Sequence, residues 1–167
     1  DRGVPMVFVD RVGDDRDCWS VVVDDFRGGQ IAMRHLMERG HRRIAFLGHP
    51  DKSVKVRTRL AGSRDVIGSQ GDIELELLDA DSWTIEAGAS AGYRLGARDA
   101  KTRPTAVFCA NDMLAIGLQN QLLRDGIRVP EEIAIVGYDD LTWAGISSVP
   151  LTTVRQPRQA LGRTAVE

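Results

Sequence analysis

The sequence has few cysteines and few aromatic residues, and it contains no long uninterrupted apolar run. Its 167 residues include two cysteines, Cys18 and Cys109, which are too few for a small disulfide scaffold. No stretch approaches the ~18 consecutive apolar residues of a membrane-spanning helix, so no membrane span or membrane partner is expected. Because Cys109 ends an apolar run far from Cys18, we expect a reduced, cytoplasmic protein; a disulfide is the alternative.

An excess of charge of either sign is also missing. The chain has 22 basic and 24 acidic side chains and a net charge of -2. Non-specific affinity for DNA requires clustered Lys and Arg. We therefore expect that this chain is not the DNA-binding part of a protein. The 43% hydrophobic and 28% charged residues are typical of a globular protein, and the length suits one ordinary domain.

The common sequence signatures of catalysis are absent. There is no Gly-rich phosphate loop, no Gly-x-Ser-x-Gly elbow and no Cys-x-x-Cys. The three histidines, His35, His41 and His49, lack the spacing of metal ligands. We therefore expect no metal, no cofactor and no enzymatic activity. A carbohydrate-active enzyme that uses Asp139 and Asp140 as paired carboxylates remains an alternative.

Short apolar runs alternate with helical patterns along the chain, which predicts an α/β fold with a doubly wound parallel sheet. Residues 73–78 alternate with glutamates and predict a strand nearer the sheet edge. Asp25 and Asp112 are expected to cap helices, and residues 139–150 are expected to form a long irregular connection. The other apolar runs are 4–9, 20–23, 44–47, 105–109 and 133–136, and the expected helices are 25–40, 55–67, 84–97 and 112–126.

Polar side chains follow the predicted strands where each strand ends. In an open parallel sheet these ends share one edge, where ligands bind. Taken singly, each residue is equally explained as a cap, a turn residue or a surface charge, so only the shared edge predicts a site. With Arg59 on the second helix, the set suits a polyol or sugar. Its members are Asp10, Asp14, Asp15, His49, Asp51, Lys55, Asp79, Asp81, Trp83, Asn111, Asp112, Asp139 and Asp140.

Six segments stand in order along the chain: PMVFVDR (5–11), GHRRIAFLG (40–48), RLAG (59–62), PTAVFCAND (104–112), GYDD (137–140) and PLTTVRQP (150–157). Together they resemble the effector-binding core of LacI/GalR-family transcription regulators. This resemblance implies a periplasmic-binding-protein-like type I fold, in which two α/β subdomains joined by three crossover strands enclose an effector. It also implies a sensing region of a regulator, most often a repressor, that performs no chemistry.

The resemblance further implies how the chain is divided. Residues 1–24 would end the N-terminal subdomain and form the first crossover, residues 25–154 would form the whole C-terminal subdomain, and residues 155–167 would begin a truncated return. Because the chain starts without Met just before a strand, we expect a fragment. DNA would then be a partner only through an absent N-terminal helix-turn-helix. An extracytoplasmic sugar-binding protein of a transporter is the alternative.

Site residues are carried over from the family position by position. Arg59 matches an arginine that donates to effector hydroxyls or carboxylates, and Trp83 matches a stacking aromatic. Asn111 and Asp139 match the groups that hold the effector's polar atoms, and Lys55 and Asp14 match further polar positions. The implied effector is a sugar or a nucleoside-like metabolite. The implied homodimer would use residues 142–150 and the helix after Asn111, through Ile116, Asn120 and Leu123.

Overall fold

The computed structural model describes residues 6–10, 19–68, 72–146 and 148–167. Two compact units are present: residues 1–24 with 156–167 form a small unit, and residues 25–155 form a large unit. The strands are β1 (Val7–Val9), β2 (Trp19–Val21), β3 (Arg43–Gly48), β4 (Glu74–Asp79), β5 (Ala106–Cys109), β6 (Ala134–Asp139) and β7 (Thr152–Arg155). The α-helices are α1 (Asp25–Glu38), α2 (Val54–Gly68), α3 (Ile85–Gly96), α4 (Asp112–Arg124), α5 (Thr142–Ile146) and α6 (Arg158–Val166).

Among its described residues, the small unit contains a pair of parallel strands and the helix α6. β1 pairs with β2 so that Val7 lies opposite Trp19 and Val9 opposite Val21. Helix α6 contacts both strands and buries Leu161. None of the helices in the described part of the chain is long and apolar enough to cross a membrane.

The large unit is built on a five-stranded parallel sheet with the strand order β4-β3-β5-β6-β7. The interior strands β3 and β5 are apolar and almost fully buried, as expected where helices cover both faces of a parallel sheet. Phe46 and Phe108 on these strands meet edge-to-face with ring centroids 5.2 Å apart. β4 lies at the edge and has no buried residue, since only Leu75 and Leu78 are half-buried and the others are exposed. The alternation of residues 73–78 therefore predicted this edge strand correctly.

Close crossings of helix pairs depend on glycine. Helix α3 packs on α4 where a Cβ on Gly117 would lie 1.9 Å from the carbonyl oxygen of Ile85, and one on Gly88 would lie 2.2 Å from that of Leu114. Helix α1 packs on α2 through Gly29 and Gly62 in the same manner. Since only hydrogen fits between these backbones, the two crossings bring each pair of helices into backbone contact.

The expected capping roles of two aspartates were wrong. Asp25 is the first helical residue of α1, and its buried carboxylate pairs with Arg59. Asn111, not Asp112, caps α4, because its side-chain oxygen accepts a hydrogen bond from the backbone N–H of Leu114. An aspartate after a strand suits an N-cap in both places. Here the carboxylates instead accept hydrogen bonds from residues distant in sequence, Arg59 for Asp25 and Thr153 for Asp112.

The connection expected over residues 139–150 is partly regular. Strand β6 continues to Asp139, and Thr142–Ile146 form the short helix α5. Ala144, in the middle of α5, is buried, and its carbonyl accepts a hydrogen bond from the backbone N–H of Leu151. This helix of five residues is too short to show a helical period in the sequence.

Candidate functional site

The carboxyl ends of the parallel strands of the large unit meet at one edge of the sheet. Trp83 follows β4, Asn111 follows β5, and Asp139 ends β6. In parallel sheets this edge is the usual ligand site. The arrangement of side chains along this edge is called the site wall below, and it is built by Arg59, Trp83, Asn111, Tyr138 and Asp139.

Arg59 projects from α2 and is held by three different elements. Its Nε donates to Oδ1 of Asp25 at 2.7 Å, and its Nη1 donates to the carbonyl oxygen of Ala110 at 2.5 Å. The guanidinium carbon lies 3.5 Å from the ring centroid of Tyr138, a cation–π contact. Arg59 and Asp25 are only 5% and 7% exposed. The guanidinium is therefore a fixed part of the wall and has little rotational freedom.

Asn111 connects two loops of the site wall. Its Oδ1 caps α4, while its Nδ2 donates to the carbonyl oxygen of Trp83 at 3.2 Å. This hydrogen bond holds the segment after β4 against the end of β5. Trp83 is half-buried and packs against the hydrophobic core. The amide thus positions the backbone that carries Trp83.

The end of β6 has an unusual backbone. Asp139 and Asp140 have φ values of +116° and +55°, in the region that side chains other than glycine seldom adopt. The carboxylate of Asp140 accepts a hydrogen bond from Nε of Arg155 at 2.5 Å. Such outliers are often found at binding sites, where the surrounding structure holds them. Here they turn the chain directly after Tyr138, the residue that packs on Arg59.

Asp112 supports the site wall from inside. Its carboxylate is fully buried and accepts hydrogen bonds from Oγ1 of Thr153 at 2.6 Å and from the backbone N–H of Leu141 at 2.7 Å. Burial, the largest effect, raises the pKa of this carboxyl group. A Cβ on Gly137 would lie 2.2 Å from the carboxylate. Asp112 therefore ties α4 to the turn after β6 and to β7.

Hydrogen bonds, a ring contact and adjacency in sequence connect four of the predicted site residues. The backbone carbonyl of Trp83 accepts from Asn111, the carbonyl of the preceding residue Ala110 accepts from Arg59, and Arg59 packs on Tyr138, which precedes Asp139. Lys55 is half-buried in the first turn of α2. Asp14 lies outside the described residues.

Sequence reasoning missed Asp25 and Tyr138 as parts of the site. Asp25 follows the end of a strand, where a cap was expected, and Tyr138 lies in an apolar strand. Their roles come from Arg59, which is 34 residues from Asp25 in sequence. Neither pairing has a local signal. The GYDD segment placed Tyr138 next to Asp139, but its packing on a guanidinium could not be inferred from that order.

Two of the predicted dimer residues lie on a shared surface cavity. Ile116 and Asn120 line a cavity of about 430 Å³ together with Ile85, Met113, Trp143, Ile146 and Ser148. The third, Leu123, is half-buried and packs against the core. Trp143 and Ile146 are 64% and 67% exposed. Within the described residues, no group of three or more His, Cys, Asp or Glu side chains could hold a metal ion.

Comparison with known proteins agrees with this architecture. The periplasmic binding protein-like domain family matches residues 33–167. The HTH-type transcriptional repressor PurR of Vibrio atlanticus is 36% identical over 169 residues, which cover 98% of this chain and 49% of that protein. PurR of Vibrio cholerae is 32% identical over 170 residues, which cover 99% of this chain and 49% of that protein. The chain thus spans about half the length of these curated relatives.

Solved structures show the same fold. A LacI family transcriptional regulator from Lactobacillus casei with bound glucose superposes with a TM-score of 0.86 at 27% identity, covering 95% of this chain and 60% of that one. A LacI family transcriptional regulator from Enterococcus faecium with bound ribose superposes with a TM-score of 0.86 at 30% identity, covering 96% of this chain and 59% of that one.

The parallel sheet and its polar carboxyl edge define a periplasmic-binding-protein-like effector domain of type I. The chain belongs to the periplasmic binding protein-like domain family. It is similar along 98% of its length to the PurR repressor and along 95% to the LacI family regulator, and it corresponds to the effector-binding core of a LacI-type regulator. The predicted fold class and family are therefore confirmed.

Proposed function

We propose that this chain is the effector-sensing and dimerisation region of a cytoplasmic, DNA-binding transcription repressor. Residues 25–154 would form one subdomain, and residues 1–24 and 155–167 would belong to the other. The observation that carries the proposal is the site wall, in which contacts link Trp83, Asn111, Arg59 and Tyr138 beside Asp139. The effector would be a sugar or a nucleoside-like metabolite, as the glucose and ribose in the similar regulators support.

The side chains of the site wall are suited to bind a polar effector that has an apolar ring face. Arg59 donates hydrogen bonds, Asp139 accepts them, and the indole of Trp83 covers an apolar ring face. An effector held in this way would favour one conformation of the regulator over another. It can shift that equilibrium only by its difference in affinity for the two conformations, typically ~1–3 kcal/mol. DNA would be contacted by a helix-turn-helix outside this chain.

Removal of the Trp83 indole is expected to weaken effector binding at least tenfold, about 1.4 kcal/mol, because the indole supplies the apolar contact. The full-length protein is screened by thermal shift with neutral sugars and nucleosides, and Trp83→Ala is then compared by calorimetry with the ligand found. Tyr93→Ala is the matched control, since Tyr93 is 67% exposed on α3. If no compound raises the midpoint of thermal unfolding, or if Trp83→Ala binds the ligand as tightly as the native protein does, the proposal is wrong.

A homodimer is proposed to form over the surface cavity lined by Ile116, Asn120, Trp143 and Ile146. Ile146→Asp should weaken dimerisation at least tenfold, since it would bury an unpaired carboxylate in the interface. Ile31→Asp is the control, because Ile31 is 46% exposed on α1, away from the cavity. Sedimentation of each full-length variant over a range of concentrations measures its dimer dissociation constant. Equal dimer dissociation constants for the two variants would contradict this interface.

A further inference from the structure

The arginine of the site wall does not present an unbalanced positive charge. Asp25 pairs with Arg59 at 2.7 Å, and the two side chains are 9% and 6% exposed. A buried ion pair of this kind is only weakly screened by salt. The local sum of charge at the guanidinium is therefore close to zero before any effector binds.

We propose that this site selects an uncharged polar effector and rejects carboxylates and phosphates, and that Asp25 determines this selection. The inference rests on the proposed function. An anion bonded to the remaining N–H groups of Arg59 would share one planar guanidinium with the Asp25 carboxylate. At a separation of a few ångströms in a partly dry site, two like charges repel strongly. A hydroxyl group accepts hydrogen bonds from the same N–H groups and carries no charge.

Other cations at this edge are engaged within the protein. Lys52 donates to the carbonyl of Asp81 at 3.4 Å, and Arg94 donates to the carbonyl of Asp79 at 2.8 Å. Arg155 is paired with Asp140, and Lys55 also has an interaction inside the protein. Each of these cations therefore already has a polar partner within the protein.

The carboxylate at the end of β6 adds to the same preference. Asp139 lies next to Tyr138, the residue whose ring packs on the Arg59 guanidinium. An acceptor-only group at this position favours ligands with O–H or N–H donors and disfavours ligands with negative charge. A hydroxyl can donate a hydrogen bond to Asp139 or accept one from Arg59, whereas a fully ionised phosphate can only accept.

The test compares each neutral sugar with its anionic derivative. Calorimetry on the full-length protein at physiological ionic strength uses glucose against glucose 6-phosphate and gluconate, and ribose against ribose 5-phosphate. The native protein is expected to bind the neutral member of a pair at least tenfold more tightly. Asp25→Asn keeps an oxygen acceptor for Nε of Arg59 and removes the charge, so the preference should fall at least tenfold. Asp65→Asn is the control, because Asp65 is exposed and bonded to Gln30.

Each outcome decides a separate point. Equal or tighter binding of the anionic member by the native protein overturns the inference and leaves the proposed function in place. An unchanged preference in folded Asp25→Asn overturns the role of Asp25. If that variant does not fold, the ratio for the native protein decides the inference. If none of these compounds binds and the screen of sugars and nucleosides also fails, the proposed function and the inference are both wrong.

Discussion

Replacement of Asp25 by alanine is expected to lower the free energy of unfolding by about 3–5 kcal/mol, because it leaves a buried guanidinium without its counter-charge. Among the residues that the structure describes, Arg59 would retain the carbonyl of Ala110 and the ring of Tyr138. Neither supplies a full negative charge. The loss is measured by urea unfolding followed by circular dichroism, with the native protein and the variant under the same buffer conditions.

Glu76→Ala provides the matched control for Asp25→Ala. Glu76 accepts two hydrogen bonds from Arg98 at 2.7 and 2.8 Å, but this pair is 34% and 42% exposed. Its loss should cost only ~0.2–1 kcal/mol, since water solvates both charges. Similar losses in the two variants would show that the Asp25–Arg59 pair is not the buried anchor inferred from its contacts.

A double variant separates the pair from the individual side chains. In Asp25→Ala with Arg59→Met neither charge of the pair remains, and the methionine fills part of the space of the arginine stem. The double variant is therefore expected to lose less stability than the sum of the single variants, with a coupling of about 0.5–3 kcal/mol. A sum that is strictly additive would contradict a direct interaction between Asp25 and Arg59.

The sheet edge could be predicted from sequence because it depends only on local patterns. Apolar runs marked the strands β3, β5 and β6, and the alternating glutamates marked β4 as an edge. Once parallel pairing is assumed, all carboxyl ends must lie together. The positions of Trp83, Asn111 and Asp139 at one edge follow from topology alone.

The contacts of the wall could not be predicted in the same way. Asp25 and Arg59 are 34 residues apart, and Asp112 and Thr153 are 41 residues apart. An aspartate after a strand looks the same in sequence whether it caps a helix, as expected here, or forms a buried pair. Which of the two occurs depends on a side chain that the fold brings from elsewhere. This explains why the capping predictions for Asp25 and Asp112 failed together.

Gly117→Ala is expected to destabilise the large unit by about 3 kcal/mol, near the upper range for overpacking of a well-packed core. The added Cβ would lie 1.9 Å from the carbonyl oxygen of Ile85 and 2.8 Å from the backbone nitrogen of Ala89. Because both neighbours belong to the backbone of α3, the clash cannot be relieved by a change of rotamer. The helices must move apart, and this loosens the packing of α3 on α4.

Gly68→Ala tests the same substitution without the clash. Gly68 is the last residue of α2, and nothing lies within 4 Å of the Cβ that would be added. Alanine is the better helix former by up to ~1 kcal/mol in a helix interior, so this variant should be neutral or slightly more stable. Gly117→Ala is therefore expected to lower the urea midpoint of unfolding, whereas Gly68→Ala should leave it unchanged or raise it slightly. If Gly117→Ala matched Gly68→Ala, then α3 and α4 would not be in backbone contact, and the segment carrying Trp83 into α3 would be less constrained than the structure indicates.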